Sequence, residues 1–218
     1  MSCVRCLVVV GALAIATAIP VYADSGEPVQ GYVAGGYAQP LGTADDSLGG
    51  GFNISGGAIW HPNPAKPFGL RADLGFTLWN ASNSAIKNYA GAGSAIVDGG
   101  YASMFSLTVD ALWRFGQPDH FGGYVGVGIG GYRRYAALTN EVLQVGYICD
   151  PYWGYCYNAT TTGYQVVADD TLTKFGANAS VGVLFPVGSG EMYFEARYHY
   201  VDSSKSFEYV PIVLGYRF

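Results

Sequence analysis

Tyr209-Val-Pro-Ile-Val-Leu-Gly-Tyr-Arg-Phe218 is the stretch that decides how the rest of the sequence reads. Val210, Ile212, Leu214, Tyr216 and Phe218 share one parity, and Pro211, Val213, Gly215 and Arg217 share the other. A strand sends successive side chains to opposite faces. One face is therefore wholly apolar or aromatic, and the other is small or polar. An apolar face ending in an aromatic ring suits a strand lying against lipid, with its rings at the membrane boundary.

The same alternation recurs upstream. Over residues 70–79, Leu70, Ala72, Leu74, Phe76 and Leu78 oppose Arg71, Asp73, Gly75, Thr77 and Trp79. Over 104–114, Phe105, Leu107, Val109, Ala111 and Trp113 oppose Ser106, Thr108, Asp110 and Arg114. Residues 174–185 and 191–200 repeat the pattern, the latter setting Met192, Phe194, Ala196, Tyr198 and Tyr200 against Glu191, Glu195, Arg197 and His199. Glycine-rich versions occupy 29–38, 50–60 and 122–135. Glycine weakens a strand, so this density fits small inward positions that make room for long side chains across a narrow lumen. With the C-terminal segment the count is about eight, an even number and the smallest common membrane barrel.

Connection lengths give a second signal. Residues 61–67, 116–121 and 186–190 are short, while 39–49, 81–100 and 136–171 are longer, with a short last loop at 202–208. The expected fold is all-β: an eight-stranded antiparallel transmembrane barrel with short periplasmic turns and longer extracellular loops. Aromatic residues gather where the membrane boundaries should fall. Trp60, Phe68, Trp113, Phe121, Phe185 and Tyr193 flank the short turns, and Tyr37, Trp79, Tyr101, Tyr132 and Tyr135 lie near the long loops. These are read as two interfacial girdles.

At the other end, Arg5 precedes an apolar run over 7–18, and Val21-Tyr22-Ala23 has the small residues of a cleavage site. Residues 1–23 read as a secretory signal and 24–218 as one barrel domain. Cys3 and Cys6 stand before or within the apolar run, which argues against a lipid-modified mature cysteine. Of 11 basic and 16 acidic residues, only Arg5 falls in the signal, so the mature chain carries a net charge of −6. That acidic balance leaves no nucleic-acid footprint. Half of the residues are hydrophobic, 32 are glycine and 18 are tyrosine. This is hydrophobicity divided among alternating strands, without a later segment of spanning-helix length.

On the signal segment through Ala23, Gly31-Tyr32-Val33, Glu195-Ala-Arg-Tyr198 and the run from Tyr209 to Phe218, the chain resembles the small outer-membrane β-barrel proteins of Gram-negative bacteria, the OmpA/OmpX/OmpW-like group. The resemblance implies residence in the cell outer membrane, contact with its lipid and lipopolysaccharide, and recognition by the barrel-assembly machinery through a last strand ending in Phe218. No tract resembling a periplasmic peptidoglycan-binding domain follows the barrel.

The inward faces collect Arg71, Asp73, Asp110, Arg114, Glu195, Arg197, His199 and Arg217. Unpaired charges in a narrow barrel are costly, so these residues are expected to form a lumenal polar network that fills and stiffens the interior. The alternative is a narrow porin-like path for small or apolar solutes. Eight strands enclose a space just wide enough for side chains, which weighs against an open pore. A lipid A-modifying enzyme is a third reading, with His199, Ser203, Ser204 and Glu208 as its candidates. It is disfavoured because His199 has lumenal parity and Val201 occupies the place where a deacylase-like serine would stand. No catalytic residue is therefore assigned.

Cys149 and Cys156 bracket a turn within 136–171, and in an oxidising periplasm they read as an intraloop disulfide. Tyr152, Trp153 and Tyr155 between them are candidates for contact with a surface partner. His61, His120 and His199 are too scattered for a metal site. The glycine-rich strand at 122–131 lacks the following helix that a phosphate-binding loop needs. No cofactor is expected.

Overall fold

In the computed structural model the described residues are 28–63, 66–82, 86, 99–116, 120–149, 156–203 and 206–218. The expected leader at 1–23 and the candidates Tyr152, Trp153 and Tyr155 lie outside them. Eight strands follow one another: β1 (Val29–Leu41), β2 (Leu48–Trp60), β3 (Phe68–Ala81), β4 (Gly99–Phe115), β5 (Gly122–Cys149), β6 (Cys156–Val187), β7 (Gly190–Val201) and β8 (Phe207–Arg217). Each pairs antiparallel with its neighbour, and β8 returns to β1 to close a barrel.

Closure leaves no sheet edge within the bilayer, where unpaired backbone groups would be costly. The last link runs just past β8, where Gly31 and Phe218 exchange two backbone hydrogen bonds of 2.9 Å. The tightest connection joins β6 to β7 through Gly188 and Ser189, with Gly188 at φ 65°. A two-residue hairpin turn of this kind calls for positive φ, which glycine adopts without Cβ strain.

Parity sorts the side chains. Leu74, Phe105, Leu107, Val109, Val127, Ile129, Val181 and Leu214 are exposed on the outer wall. Arg71, Asp73, Asp110, Asn178, Glu195 and Arg197 are buried inside. A wall that is apolar outside and polar inside is that of a transmembrane barrel. At the short-turn end, Phe121 packs edge-on to Phe185 with ring centroids 5.2 Å apart, and at the long-loop end Tyr101 meets Tyr135 at 5.9 Å.

Three of the expected girdle aromatics face inward. Trp79, Tyr132 and Tyr193 are buried in the lumen, because strand parity, and not height along the strand, sets which side a ring occupies.

The connections at the open end also differ from expectation. β1 continues to Leu41 and is followed by a single 3-10 turn, Gly42–Ala44, so the first loop is shorter than 39–49. The stretch 136–171 is largely a continuous hairpin. Above the pairs Gly99↔Thr139 and Gly176↔Val201, β5 and β6 leave their other neighbours and, among the described residues, pair with each other alone. The ladder runs on from Asn140↔Gln165 to Cys149↔Cys156, ten pairs in all. At roughly 3.4 Å per residue this ribbon stands some 30 Å above the rim. Along this ladder Val142, Val145 and Ile148 pair with Gly163, Thr160 and Tyr157, and β-branched residues are common in strands. Neither 140–149 nor 156–165 alternates apolar with polar residues, so periodicity could not reveal the ribbon.

Candidate functional site

The lumen is filled in three layers. Toward the short turns, Tyr32, Ile59, Leu112, Tyr124, Leu184, Tyr193 and Val213 form an apolar and aromatic cluster. Toward the open end, Trp79, Met104, Tyr132, Val201, Phe207 and Tyr209 form another. Between them lies the charged layer.

Arg71 is its hub. Its Nε donates to Asp110 Oδ2 at 2.8 Å, Nη1 to Glu195 Oε2 at 2.6 Å and Nη2 to Ser180 Oγ at 3.3 Å. Arg197 is the second. Its Nε and Nη2 both donate to Glu195 Oε1, at 2.9 and 2.7 Å, and Nη1 donates to Asp73 Oδ1 at 2.9 Å. Neutral donors complete the carboxylates: Tyr124 to Glu195 at 2.7 Å, Asn178 to Asp110 at 2.8 Å, and the Tyr32 hydroxyl to Asp73. Charge-assisted bonds of this length are the strong kind, and each carboxylate has several.

The remaining candidates sit elsewhere. Arg217 makes no ion pair among the described residues; its guanidinium lies 4.4 Å from the ring centroid of Tyr124 and 5.0 Å from that of Tyr193, a cation–π clamp. Its Nε and Nη2 find no partner among the described residues. With Arg217 included, three buried guanidiniums (Arg71, Arg197, Arg217) match three buried carboxylates (Asp73, Asp110, Glu195) among the described residues, so their charges balance. Arg114 pairs with Glu191 near the short-turn end, with Nη1 at 3.2 Å from Oε2. Beside that end, outside the spanning strands, burial holds the His61 imidazole below its ordinary pKa.

His199 belongs to the upper layer. Its ring stacks on Tyr209 with centroids 4.5 Å apart and planes within 5°, and its Nδ1 lies 2.9 Å from the Tyr132 hydroxyl. It is buried among rings, away from the lipid face. Of its proposed enzymatic companions, Ser204 lies outside the described residues. Glu208 is engaged by the Ser206 hydroxyl at 3.4 Å.

Several contributors were not singled out from the sequence. Asn178 and Ser180 stood on the polar parity of their strand and were findable there. Tyr193 and Tyr209 also stood on the inward parity of β7 and β8, whereas Tyr32 and Tyr124 lay in glycine-rich strands where the alternation is weaker. Glycine makes the space they need. A Cβ on Gly182 would stand 2.5 Å from the Tyr124 ring, and one on Gly215 would stand 2.5 Å from a Tyr193 ring carbon.

What the filled lumen can do is limited by its free volume. A cavity of only about 10 Å3 lies beside Asp73, Glu195, Arg197 and His199, space for about one water molecule.

No protein-family model and no curated protein sequence matches the chain. Among solved structures, Neisserial surface protein A matches with a TM-score of 0.53 at 15% identity, over 88% of this chain and 96% of that one. The fold is that of a small outer-membrane β-barrel. The attachment invasion locus protein Ail of Yersinia pestis matches at TM-score 0.43 and 14% identity, over 88% of this chain and 100% of that one. The N-terminal barrel domain of Pseudomonas aeruginosa OprF gives 0.40 and 14%, over 88% and 98%. At these identities the likeness to Neisserial surface protein A is one of fold, and what this barrel does is argued from its own side chains.

Proposed function

We propose that this outer-membrane barrel is a non-enzymatic envelope protein whose rigid, closed cylinder carries a projecting β-ribbon as a surface for interaction outside the cell. The observation that carries the reading is the combination of a filled lumen with the ten-pair extension of β5 and β6. A cylinder with so little free volume favours mechanical support over conduction. Among the described residues the ribbon pairs with no other strand, and on this reading its backbone edges serve a partner. Lipid and lipopolysaccharide would surround the outer wall, and the assembly machinery would engage β8 through its end at Phe218.

The opposed register of Cys149 and Cys156 supports a disulfide that fastens the ribbon tip under oxidising conditions. Such a bond would hold Tyr152, Trp153 and Tyr155 in a short closed turn, where rigid aromatics make effective contact residues.

The test is a pair of measurements on the purified barrel and on a variant whose residues 141–164 are replaced by a short Gly-Ser turn. In planar bilayers both are expected to show no steady conductance. On intact cells, loss of the ribbon should abolish attachment to host-cell or neighbouring-cell surfaces while leaving the heat-dependent gel mobility of the barrel intact. Steady solute-dependent conductance in the unaltered protein would transfer the argument to a narrow channel.

A further inference from the structure

Above the upper aromatic layer the barrel mouth opens into a pocket of about 520 Å3 lined by the turn after β1 and by β2, β3, β4, β5, β6 and β8. That volume is in the range of sites for small organic ligands. Its base is apolar: Ala44, Ala102 and Phe207 are buried there, with Leu48 packed against them. Directly beneath, Trp79 meets Phe207 edge-on at 5.6 Å and Tyr209 at 5.1 Å, and Trp79 itself is fully buried. A ligand entering this pocket meets a floor.

Among the described residues the wall carries one cation, Arg134, and two carboxylates, Asp169 and Asp170. Arg134 projects into the pocket from β5 with its guanidinium 5.8 Å from the Phe207 ring centroid. Its ion-pair partner among the described residues is Asp170, at 3.7 Å, and the Asp170 side chain is 70% exposed. Arg134 Nε is shielded from solvent and has no hydrogen-bond partner among the described residues. A guanidinium offers five N–H donors. Among the described residues one long, solvated contact engages them, in contrast to Arg71 and Arg197 below. An exposed pair of this kind is weak, and Asp170 can turn to water at little cost.

We infer that this pocket binds a small amphipathic anion: an aromatic or short alkyl body seated on Phe207 and Leu48, carrying one carboxylate that takes the Arg134 donors from Asp170. The two halves of the ligand answer the two halves of the site. Apolar area is removed from water at the floor, and a bidentate charge-assisted pair forms at the wall. The closed floor makes it a docking site and not an entry to a channel. Neither the ribbon's partner nor the disulfide enters the inference.

The test uses the full barrel in nanodiscs and two probes of equal shape, 2-naphthoate and the neutral 2-naphthalenemethanol, titrated by saturation-transfer NMR against empty nanodiscs. Naphthoate should bind saturably at one site per barrel, about tenfold tighter than the alcohol, as expected for a hydrogen-bonded charged contact. Arg134→Gln should bring naphthoate down to the affinity of the alcohol and leave the alcohol unchanged. Asp170→Asn, which frees Arg134, should tighten naphthoate by about two- to fivefold, the scale of a rim ion pair. Ala168→Phe, which fills the pocket from β6, should abolish both. Each variant is first checked for heat-dependent mobility, so a loss of binding is read only in a folded barrel. Equal binding of acid and alcohol, or naphthoate affinity unmoved by Arg134→Gln or weakened by Asp170→Asn, would overturn the site. So would signal no greater than that of empty nanodiscs.

Discussion

Phe218 closes the barrel on Gly31. The two residues exchange backbone hydrogen bonds of 2.9 Å in both directions, and the Phe218 ring covers the space where a Gly31 side chain would begin, 2.5 Å from an ideal Cβ. The residue that ends the sequence is therefore part of the seam joining β8 to β1.

Deleting Phe218 removes both bonds and the ring, whereas Phe218→Ala removes the ring alone. At about 0.5–1.5 kcal/mol net per hydrogen bond, deletion should cost about 1–3 kcal/mol more than the alanine variant. Urea unfolding in lipid vesicles, without any assembly factor, reads the difference. Equal midpoints for the two variants would show that the seam does not rest on these bonds.

Gly128 and Gly131 provide a matched pair on β5. A Cβ on Gly128 would stand 2.8 Å from Asp110 Cγ, while one on Gly131 meets nothing within 4 Å. Gly128→Val should push Asp110 away from Arg71 and Asn178 and cost about 1–3 kcal/mol or more through overpacking. Gly131→Val, with no neighbour to displace, should be neutral. Thermal midpoints of the folded gel band compare the two directly.

Glu195 accepts from Arg71, Arg197 and Tyr124. Glu195→Gln leaves two buried guanidiniums short of a carboxylate and should cost about 3–5 kcal/mol, the penalty for breaking a buried pair. The double variant Arg197→Met/Glu195→Gln should cost less than the sum of the singles, because it restores charge balance. Strict additivity in vesicle unfolding would argue against a coupled network.

Trp79→Ala opens only the upper layer. The charged layer and the Tyr32–Tyr124–Tyr193 cluster remain below it, so single-channel recordings of this variant should stay as silent as the parent. Conductance after this one change would locate the whole barrier at Trp79.

If Cys149 and Cys156 are joined, the mature oxidised protein should resist thiol alkylation and gain two labels after reduction. Reduction should also raise protease cleavage within 140–165 while leaving the heat-dependent mobility unchanged. Cleavage that is indifferent to reductant would mean that the ladder of β5 and β6 holds the ribbon without the bond.

The fold was legible because its governing period is two. Ile212, Leu214 and Val109 needed only their parity to be read as outward, and Arg71, Asp110 and Glu195 to be read as inward. The ribbon was not legible as strand, since neither 140–149 nor 156–165 alternates apolar with polar residues. Trp79, Tyr132 and Tyr193 were mistaken for girdle residues because an amphipathic ring suits either an interface or a hydrogen-bonded lumen.

The sequence by itself determined which residues face lipid and which face inward, since that follows from the geometry of one extended chain. Only the tertiary structure decided which inward residues meet. Arg71 reaches Glu195 across 124 positions, and that meeting depends on the stagger of eight strands around a closed circle. The same closure leaves Arg217 on two tyrosines and His199 flat against Tyr209. These contacts run across the barrel, a direction that no periodicity along the chain encodes.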